Sequence, residues 1–184
     1  MLFSHDAELT LRAACVLINS NRIDGEQMGD QAALDAYLNS YSWTGRRDHD
    51  DAELASVHKL RDRLGRIWAT AGDEVRAVGQ INALLSDTRA APWLTRHPEM
   101  PEWHLHLASI HDPLAQRMGA EMAMSLADLV RAGELRRLKI CSAPDCDAAL
   151  LDLSRNRSRM FCDTGNCGNR QHVAAYRERR SKEG

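Results

Sequence analysis

Four cysteines in the last quarter of the chain restrict most strongly how it can fold. They form two C-x4-C pairs separated by fifteen residues: Cys141, Cys146, Cys162 and Cys167. Four thiolates at this spacing are typical of a closed tetrahedral zinc site, in which no position stays open for water or substrate. A disulfide framework is disfavoured because a cytosolic chain is kept reduced, and iron–sulfur ligation is a more distant alternative. The spacing therefore predicts one structural Zn²⁺ ion.

The residues around these cysteines predict a small, metal-dependent unit. Residues 148–153 and 159–162 have the pattern of two strands joined by a turn, and residues 168–180 have the pattern of a helix. We expect Val173 and Tyr176 to pack this helix on the hairpin. We call each C-x4-C pair with its loop a knuckle. A knuckle followed by a hairpin and a helix is typical of a treble-clef or zinc-ribbon-like zinc finger. Such a unit has too little apolar surface to fold without its metal.

The preceding residues, 1–138, have the pattern of a helical domain, because apolar residues recur there at three- and four-residue spacing. Alternation within 93–109 predicts one small β-hairpin. The predicted helices are 8–19, 31–41, one from Asp50 to the residue before Gly72, one capped by Asp73, and one capped by Asp112 with Pro113 as its first residue. The predicted fold class is therefore mainly α, with a helical domain at 1–138 and the zinc finger at 139–184.

Charge is divided unequally between these two regions. Residues 1–138 hold 15 Lys and Arg against 20 Asp and Glu, a net charge of −5, whereas residues 139–184 hold 9 against 6, a net charge of +3. An acidic body does not attract a polyanion, so we expect any nucleic-acid contact in the finger. The candidate contact residues are Arg155, Arg157, Arg159, Asn169, Arg170, Arg177 and Arg180.

A second interpretation of the finger stays open at this point. Counting the zinc–thiolate centre as −2 lowers the finger's charge to about +1, so binding should be weak and salt-sensitive unless the arginines share a face or the chain forms a homodimer. Asn169 and Arg170 would alternatively hold the finger together. In that case the finger is a structural element of a protein-interaction module. Arginines paired with acidic residues of 1–138 would favour this alternative.

The finger sequence resembles the CGNR zinc finger over residues 138–181. The resemblance rests on Cys-Gly-Asn-Arg at 167–170 within the four-cysteine frame and on Leu-Ser-Arg-Asn-Arg-Ser-Arg at 153–159. Residues 17–20 and 34–38 resemble the ABATE domain, which usually precedes this finger. The resemblance implies a bacterial, stress-related transcription regulator that binds nucleic acid, with DNA as the favoured partner and RNA as the alternative.

Several classes of protein are disfavoured by what the sequence lacks. It contains no phosphate-binding glycine loop, nucleophile elbow or HExxH motif, so we expect no enzymatic activity. Its longest apolar run, residues 13–18, falls far short of the roughly 20 residues that span a bilayer. Charged residues near the start are unlike those of a signal peptide. We therefore expect a cytoplasmic protein without membrane contact.

The helical domain also contains a lone cysteine, a pair of histidines and six aromatic residues whose roles can be predicted. Cys15 lies in an apolar stretch and is expected in the core. His104 and His106 fall on the same side of the predicted hairpin, a common arrangement that does not by itself predict a metal site. Core packing accounts for most of the aromatic residues, but a pocket for a small-molecule effector would draw on Tyr37, Tyr41, Trp43, Trp68, Trp93 and Trp103.

Overall fold

Five helices form the body of the chain and pack around one apolar core. The structure, a computed structural model, describes residues 5–23, 25–97 and 100–182. The helices are α1 (His5–Asn19), α2 (Gln31–Ser40), α3 (Asp51–Ala69), α4 (Glu74–Asp87) and α5 (Leu114–Arg131), so each helix predicted for the body is present. Within the described residues, none of the helices combines the length and apolar character needed to cross a bilayer.

Aspartate side chains begin three of these helices, each by accepting a hydrogen bond from the backbone N–H three residues further on. They are Asp30 before α2, Asp50 before α3 and Asp73 before α4. The predicted cap at Asp73 is confirmed, but the one at Asp112 is wrong. Asp112 accepts a hydrogen bond from the Ser109 N–H at 2.8 Å instead, and Pro113 takes the capping position of α5.

The core is built where α5 packs against α1, α3 and α4. Leu11, Leu64 and Leu126 are fully buried there. Gly119 on α5 allows a close approach to the end of α4, because a Cβ at this position would lie 2.9 Å from the Thr88 Cγ2 atom. Cys15, a predicted core residue, is half-buried and packs against the same core.

Helix α3 ends two residues earlier than its sequence suggests. Gly72 was the expected stop, but the last helical residue is Ala69. The hydroxyl of Thr70 donates to the Arg66 carbonyl oxygen at 2.9 Å, and the Thr70 N–H also bonds to this last turn. The helix is therefore closed by a threonine before the glycine is reached.

A β-hairpin projects from the body between α4 and α5, as the alternating sequence predicts. Its strands are β1 (Trp93–His97) and β2 (Met100–His106), paired antiparallel. One face of the hairpin lies in solvent: Leu94 and Trp103 are 64% and 65% exposed. The guanidinium of Arg96 lies over the Trp103 ring, 5.1 Å from its centroid.

Two open clefts, about 440 and 460 Å³ in volume, lie along the molecule. None of the six aromatic residues that could serve an effector pocket lines either cleft. Tyr37 and Trp68 are buried in the core, whereas Trp93 and Trp103 are on the exposed hairpin. The aromatic residues therefore serve packing and the hairpin rather than either cleft.

The finger begins with a short antiparallel pair, β3 (Leu138–Ile140) and β4 (Ala149–Leu151), which encloses the first cysteine pair. The predicted return strand at 159–162 is wrong, because the described structure has no strand there. Both backbone groups of Arg159 are bonded to side chains: its N–H donates to Asp152, and its carbonyl oxygen accepts from Lys139. The Met160 carbonyl oxygen accepts a single backbone hydrogen bond, from the Ser142 N–H. Arg157, in the turn before this segment, has a positive φ of 52°, a conformation found mainly in turns.

The two strands of the finger pack directly on the body. Asn19, at the end of α1, donates to the Ala149 carbonyl oxygen at 2.9 Å and accepts from the Ala149 N–H at 2.7 Å. The Trp68 indole donates to the Leu150 carbonyl oxygen at 3.3 Å. Leu138 and Leu151 join the core of the body. We call this set of contacts the body–finger contact.

Candidate metal centre

The four cysteines predicted as zinc ligands come together in one cluster. Their Sγ atoms all lie within 4.8 Å of one another. The Cys146–Cys162 and Cys162–Cys167 Sγ distances are 3.8 and 3.6 Å. A tetrahedral site with zinc–sulfur bonds near 2.3 Å places its sulfurs about 3.8 Å apart. Since all four thiols are free, the donor set fits one tetrahedral Zn²⁺ ion.

Short local elements hold each thiol in place. Cys141 follows β3, and its N–H donates to the Ala148 carbonyl oxygen at 2.9 Å, closing the first knuckle. Cys167 is the first residue of helix α6 (Cys167–Lys182), whose positive end stabilises a thiolate. Gly165 lets the second knuckle close tightly, since a Cβ there would lie 3.1 Å from the Cys167 Sγ.

The cluster is closed to solvent on most sides. Cys141, Cys162 and Cys167 are buried, and Cys146 is half-buried. Four protein ligands complete a tetrahedral shell and leave no position for a substrate or an activated water. The site is therefore suited to a structural ion rather than to a catalytic one.

Arg170 supplies positive charge next to the thiols. Its guanidinium donates to the Cys167 Sγ at 3.1 Å and to the Asp145 carboxylate at 2.6 Å. The hydrogen bond from Arg170 is the main cause of the lowered pKa of Cys167. The Cys162 N–H also donates to the Cys141 Sγ, at 3.4 Å. Arg170 thus lies where it offsets the negative charge of a zinc–thiolate centre.

The remaining candidate nucleic-acid residues divide into two groups. Arg157 pairs with Glu134 of the body at 3.2 Å, and Arg159 pairs with Asp163 within the finger. The other four are exposed: Arg155, Asn169, Arg177 and Arg180. The structure therefore does not bring together all of the predicted contact residues.

The expected packing of α6 on the finger hairpin is wrong. Val173 and Tyr176 are 40% and 54% exposed instead of buried. The apolar side chains of β4 are already buried against the body, where Ala149 and Leu151 join its core. The hairpin therefore has no apolar face left to receive the helix.

Asp152 organises the finger without having been predicted from the sequence. It is fully buried, and its carboxylate accepts hydrogen bonds from the Lys139 amine at 2.6 Å, the Ser154 hydroxyl at 2.6 Å and the Arg159 N–H at 2.9 Å. Burial raises the pKa of Asp152, but these hydrogen bonds outweigh burial and lower it to about 2. The sequence feature that could have identified Asp152 is its position as an acidic residue directly after an apolar strand.

Comparison with protein families matches residues 137–180 to the CGNR zinc finger. Residues 11–133 match the ABATE family, whose description reads "Putative stress-induced transcription regulator". A comparison with curated proteins found no match. The cysteine cluster is thus the structural zinc site of a CGNR finger. The chain belongs to the ABATE family and carries a CGNR zinc finger behind its ABATE domain.

Proposed function

We propose that this protein binds duplex DNA through helix α6, which the zinc centre holds away from the body. The observation that carries the proposal is the exposure of this helix: every side chain that the structure describes from His172 to Arg180 is exposed. A helix of 16 residues is about 24 Å long. It is anchored at its first turn by Cys167 and Arg170 and offers its remaining length to a partner.

Charge supports a polyanionic partner for this helix. Lys139, Arg157, Arg159 and Arg170 are already engaged in ion pairs. Four exposed arginines of the finger pair with no acidic residue in the described part of the chain: Arg155, Arg177, Arg179 and Arg180. Three of the four lie on α6, including Arg179, which the sequence analysis did not select. The cationic groups that stay available for phosphate are therefore concentrated on the exposed helix.

The spacing of side chains on α6 favours DNA over other polyanions. Asn169, Val173, Tyr176 and Arg180 lie within about 60° of one another around the helix axis at 100° per residue. The major groove of B-DNA admits an α-helix. Asparagine and arginine pair bidentately with adenine and guanine edges, and an apolar side chain contacts the thymine methyl group. This face thus carries side chains that can contact base edges, and the arginines beside it are placed to contact phosphates.

The protein acts in this proposal by binding rather than by catalysis, and in the cytoplasm. The acidic body, with a net charge of −5 over residues 1–138, weakens attraction to DNA, so affinity is modest and falls with salt. A small-molecule effector and a homodimer stay predictions.

The test is a fluorescence-anisotropy titration of the zinc-loaded full chain against mixed-sequence duplex DNA and single-stranded RNA. The variant carries Arg177→Ala, Arg179→Ala and Arg180→Ala together. The control carries Arg76→Ala, Arg131→Ala and Arg136→Ala, three exposed arginines of the body, and so has the same net charge.

We expect the wild-type chain and the control to bind duplex DNA. In the α6 variant, the plot of log K against log salt should be less steep by about 2 to 3, because three phosphate contacts are lost. An equal loss of DNA binding in both variants would show that net charge alone determines affinity, and it would contradict the role of α6. Preference for single-stranded RNA would replace DNA as the partner. No binding to either would favour the protein-interaction alternative, which the Arg157–Glu134 ion pair supports.

A further inference from the structure

Two histidines of the β1–β2 hairpin bring their ring nitrogens unusually close. His104 and His106 lie on one side of β2, and their Nε2 atoms are 3.2 Å apart. Two nitrogens bound to one tetrahedral metal ion at 2.0–2.1 Å lie about 3.3 Å apart. The two Nε2 atoms are within hydrogen-bond distance of each other, and the same separation matches that of two adjacent ligands on one ion.

The neighbouring helix supplies a carboxylate at the same end of the hairpin. Glu121 of α5 accepts a hydrogen bond from the Leu107 N–H at 3.3 Å, directly after His106 in the chain. Glu121 is half-buried, and burial raises its pKa to about 7, although the Leu107 N–H and the charge of His104 act in the opposite direction. Withdrawing a carboxylate from water without a cationic partner is costly. A cation between Glu121 and the histidines would remove that cost.

We propose that His104, His106 and Glu121 form a second metal site, for a divalent transition-metal ion such as Zn²⁺. Imidazole nitrogens with one carboxylate are a donor set that suits zinc, nickel and copper rather than magnesium or calcium. Within the described ranges, only the four cysteines bring three donor groups within 4.8 Å of one another. His104 and His106 are therefore the two preformed ligands, and the proposed site requires the Glu121 side chain to rotate from the Leu107 N–H towards them, with water as the remaining ligand.

Such an ion would link the hairpin to the body. A two-stranded hairpin is marginally stable by itself, and β1–β2 keeps Leu94 and Trp103 in solvent. A bond from β2 through the metal to α5 fixes the hairpin against the core. The His104 Nδ1 atom lies 3.0 Å from the Glu102 carbonyl oxygen, an outer contact of the kind that orients a metal-bound imidazole.

The test is calorimetric titration with Zn²⁺ of the full chain that already holds one zinc equivalent at its cysteines. We expect one further equivalent to bind, more weakly than the first, because neutral imidazoles replace charged thiolates. His104→Ala with His106→Ala should abolish the second equivalent, whereas a control with His111→Ala and His172→Ala, two exposed histidines, should retain it. Circular dichroism verifies that each variant is folded.

Glu121→Gln tests the carboxylate separately, since it keeps the shape of the side chain and removes its charge. We expect affinity for the second ion to fall by at least about tenfold, since even outer-shell partners of bound metals contribute about that much. Unchanged affinity would overturn the part assigned to Glu121. Absence of a second equivalent in the wild-type chain, or its persistence in the double histidine variant, would overturn the site.

Discussion

The body and the finger of this chain are stabilised by different means. The body buries a continuous apolar core that includes Leu11, Leu64 and Leu126. The cluster at the centre of the finger contains chiefly its own zinc ligands and two alanines, with Ile23 and Phe161 at its edge. Apolar burial of this small extent does not offset the loss of conformational entropy. The difference implies that the body folds without metal and that the cysteine-bearing part of the finger requires it.

The boundary between the part stabilised by apolar burial and the part stabilised by zinc does not coincide with the start of the finger in the sequence. β3 and β4 lie within the residues matched to the CGNR finger, 137–180, yet Leu138, Ala149 and Leu151 pack into the core of the body. Asn19 of α1 bonds to both backbone groups of Ala149. The strands are therefore stabilised with the body, whereas the knuckles and α6 depend on zinc.

The largest effect is expected from removing a zinc ligand. Cys162→Ala leaves three thiols, and zinc binding and the folding of the knuckles should be lost together. Elemental analysis should show zinc falling from one per chain towards zero, and circular dichroism should lose the signal of α6 while α1–α5 remain. Cys15→Ala is the matched control, because Cys15 lies outside the cluster and the variant should keep its zinc. Loss of zinc from the Cys15→Ala variant would contradict the assignment of the zinc site to the other four cysteines alone.

A cavity in the core should affect the body first. Leu64 on α3 is fully buried, so Leu64→Ala is expected to cost about 3 kcal/mol of the free energy of unfolding. Urea denaturation followed by circular dichroism measures this loss. Zinc content should stay at one per chain, and a loss of zinc below the unfolding transition would show that the two regions are not stabilised independently.

A smaller loss is expected from breaking the body–finger contact. Asn19→Ala removes both hydrogen bonds to Ala149 and leaves two buried backbone groups without these partners, at a cost of about 2 kcal/mol. The same denaturation experiment measures it, with Asn39→Ala, an exposed position on α2, as control. Equal stability of the two variants would show that the contact does not couple the strands to the body.

The smallest effect concerns a single helix cap. Asp30 accepts a hydrogen bond from the Ala33 N–H at 2.8 Å at the start of α2. Asp30→Ala should therefore lower the free energy of unfolding by about 1 kcal/mol without changing zinc content. Asp62→Ala is a suitable control, because Asp62 is exposed within α3 and caps no helix. A cost as large as that of Leu64→Ala would contradict this ranking.

Local patterns in the sequence predicted the elements well because their causes are local. Apolar spacing located all five helices of the body, and the cysteine spacing located the zinc ligands. The alternation at 93–109 located the β1–β2 hairpin. These signals depend on residues within one or two turns of each other, or on a ligand set whose chemistry fixes its geometry.

The errors in the finger arose where distant groups compete for the same segment. Residues 159–162 were predicted as a strand, but Asp152 and Lys139 bind both backbone groups of Arg159. Val173 and Tyr176 were expected to pack α6 on the finger hairpin, but the core of the body already covers the apolar side chains of Ala149 and Leu151. The contacts of Arg170 with Asp145 and of Arg157 with Glu134 likewise depend on the folded chain.

Hydrogen exchange of the full chain, followed by mass spectrometry with and without a zinc chelator, tests the central claim most directly. Amides of the zinc-dependent part include those of Cys141 and Cys162, which bond across the first knuckle and to a thiol. We predict that chelation removes protection from the two cysteine knuckles, at 141–146 and 162–167, while β4 and the core helices α1, α3 and α5 keep theirs. Loss of protection throughout the body, or unchanged protection of the knuckles, would contradict it.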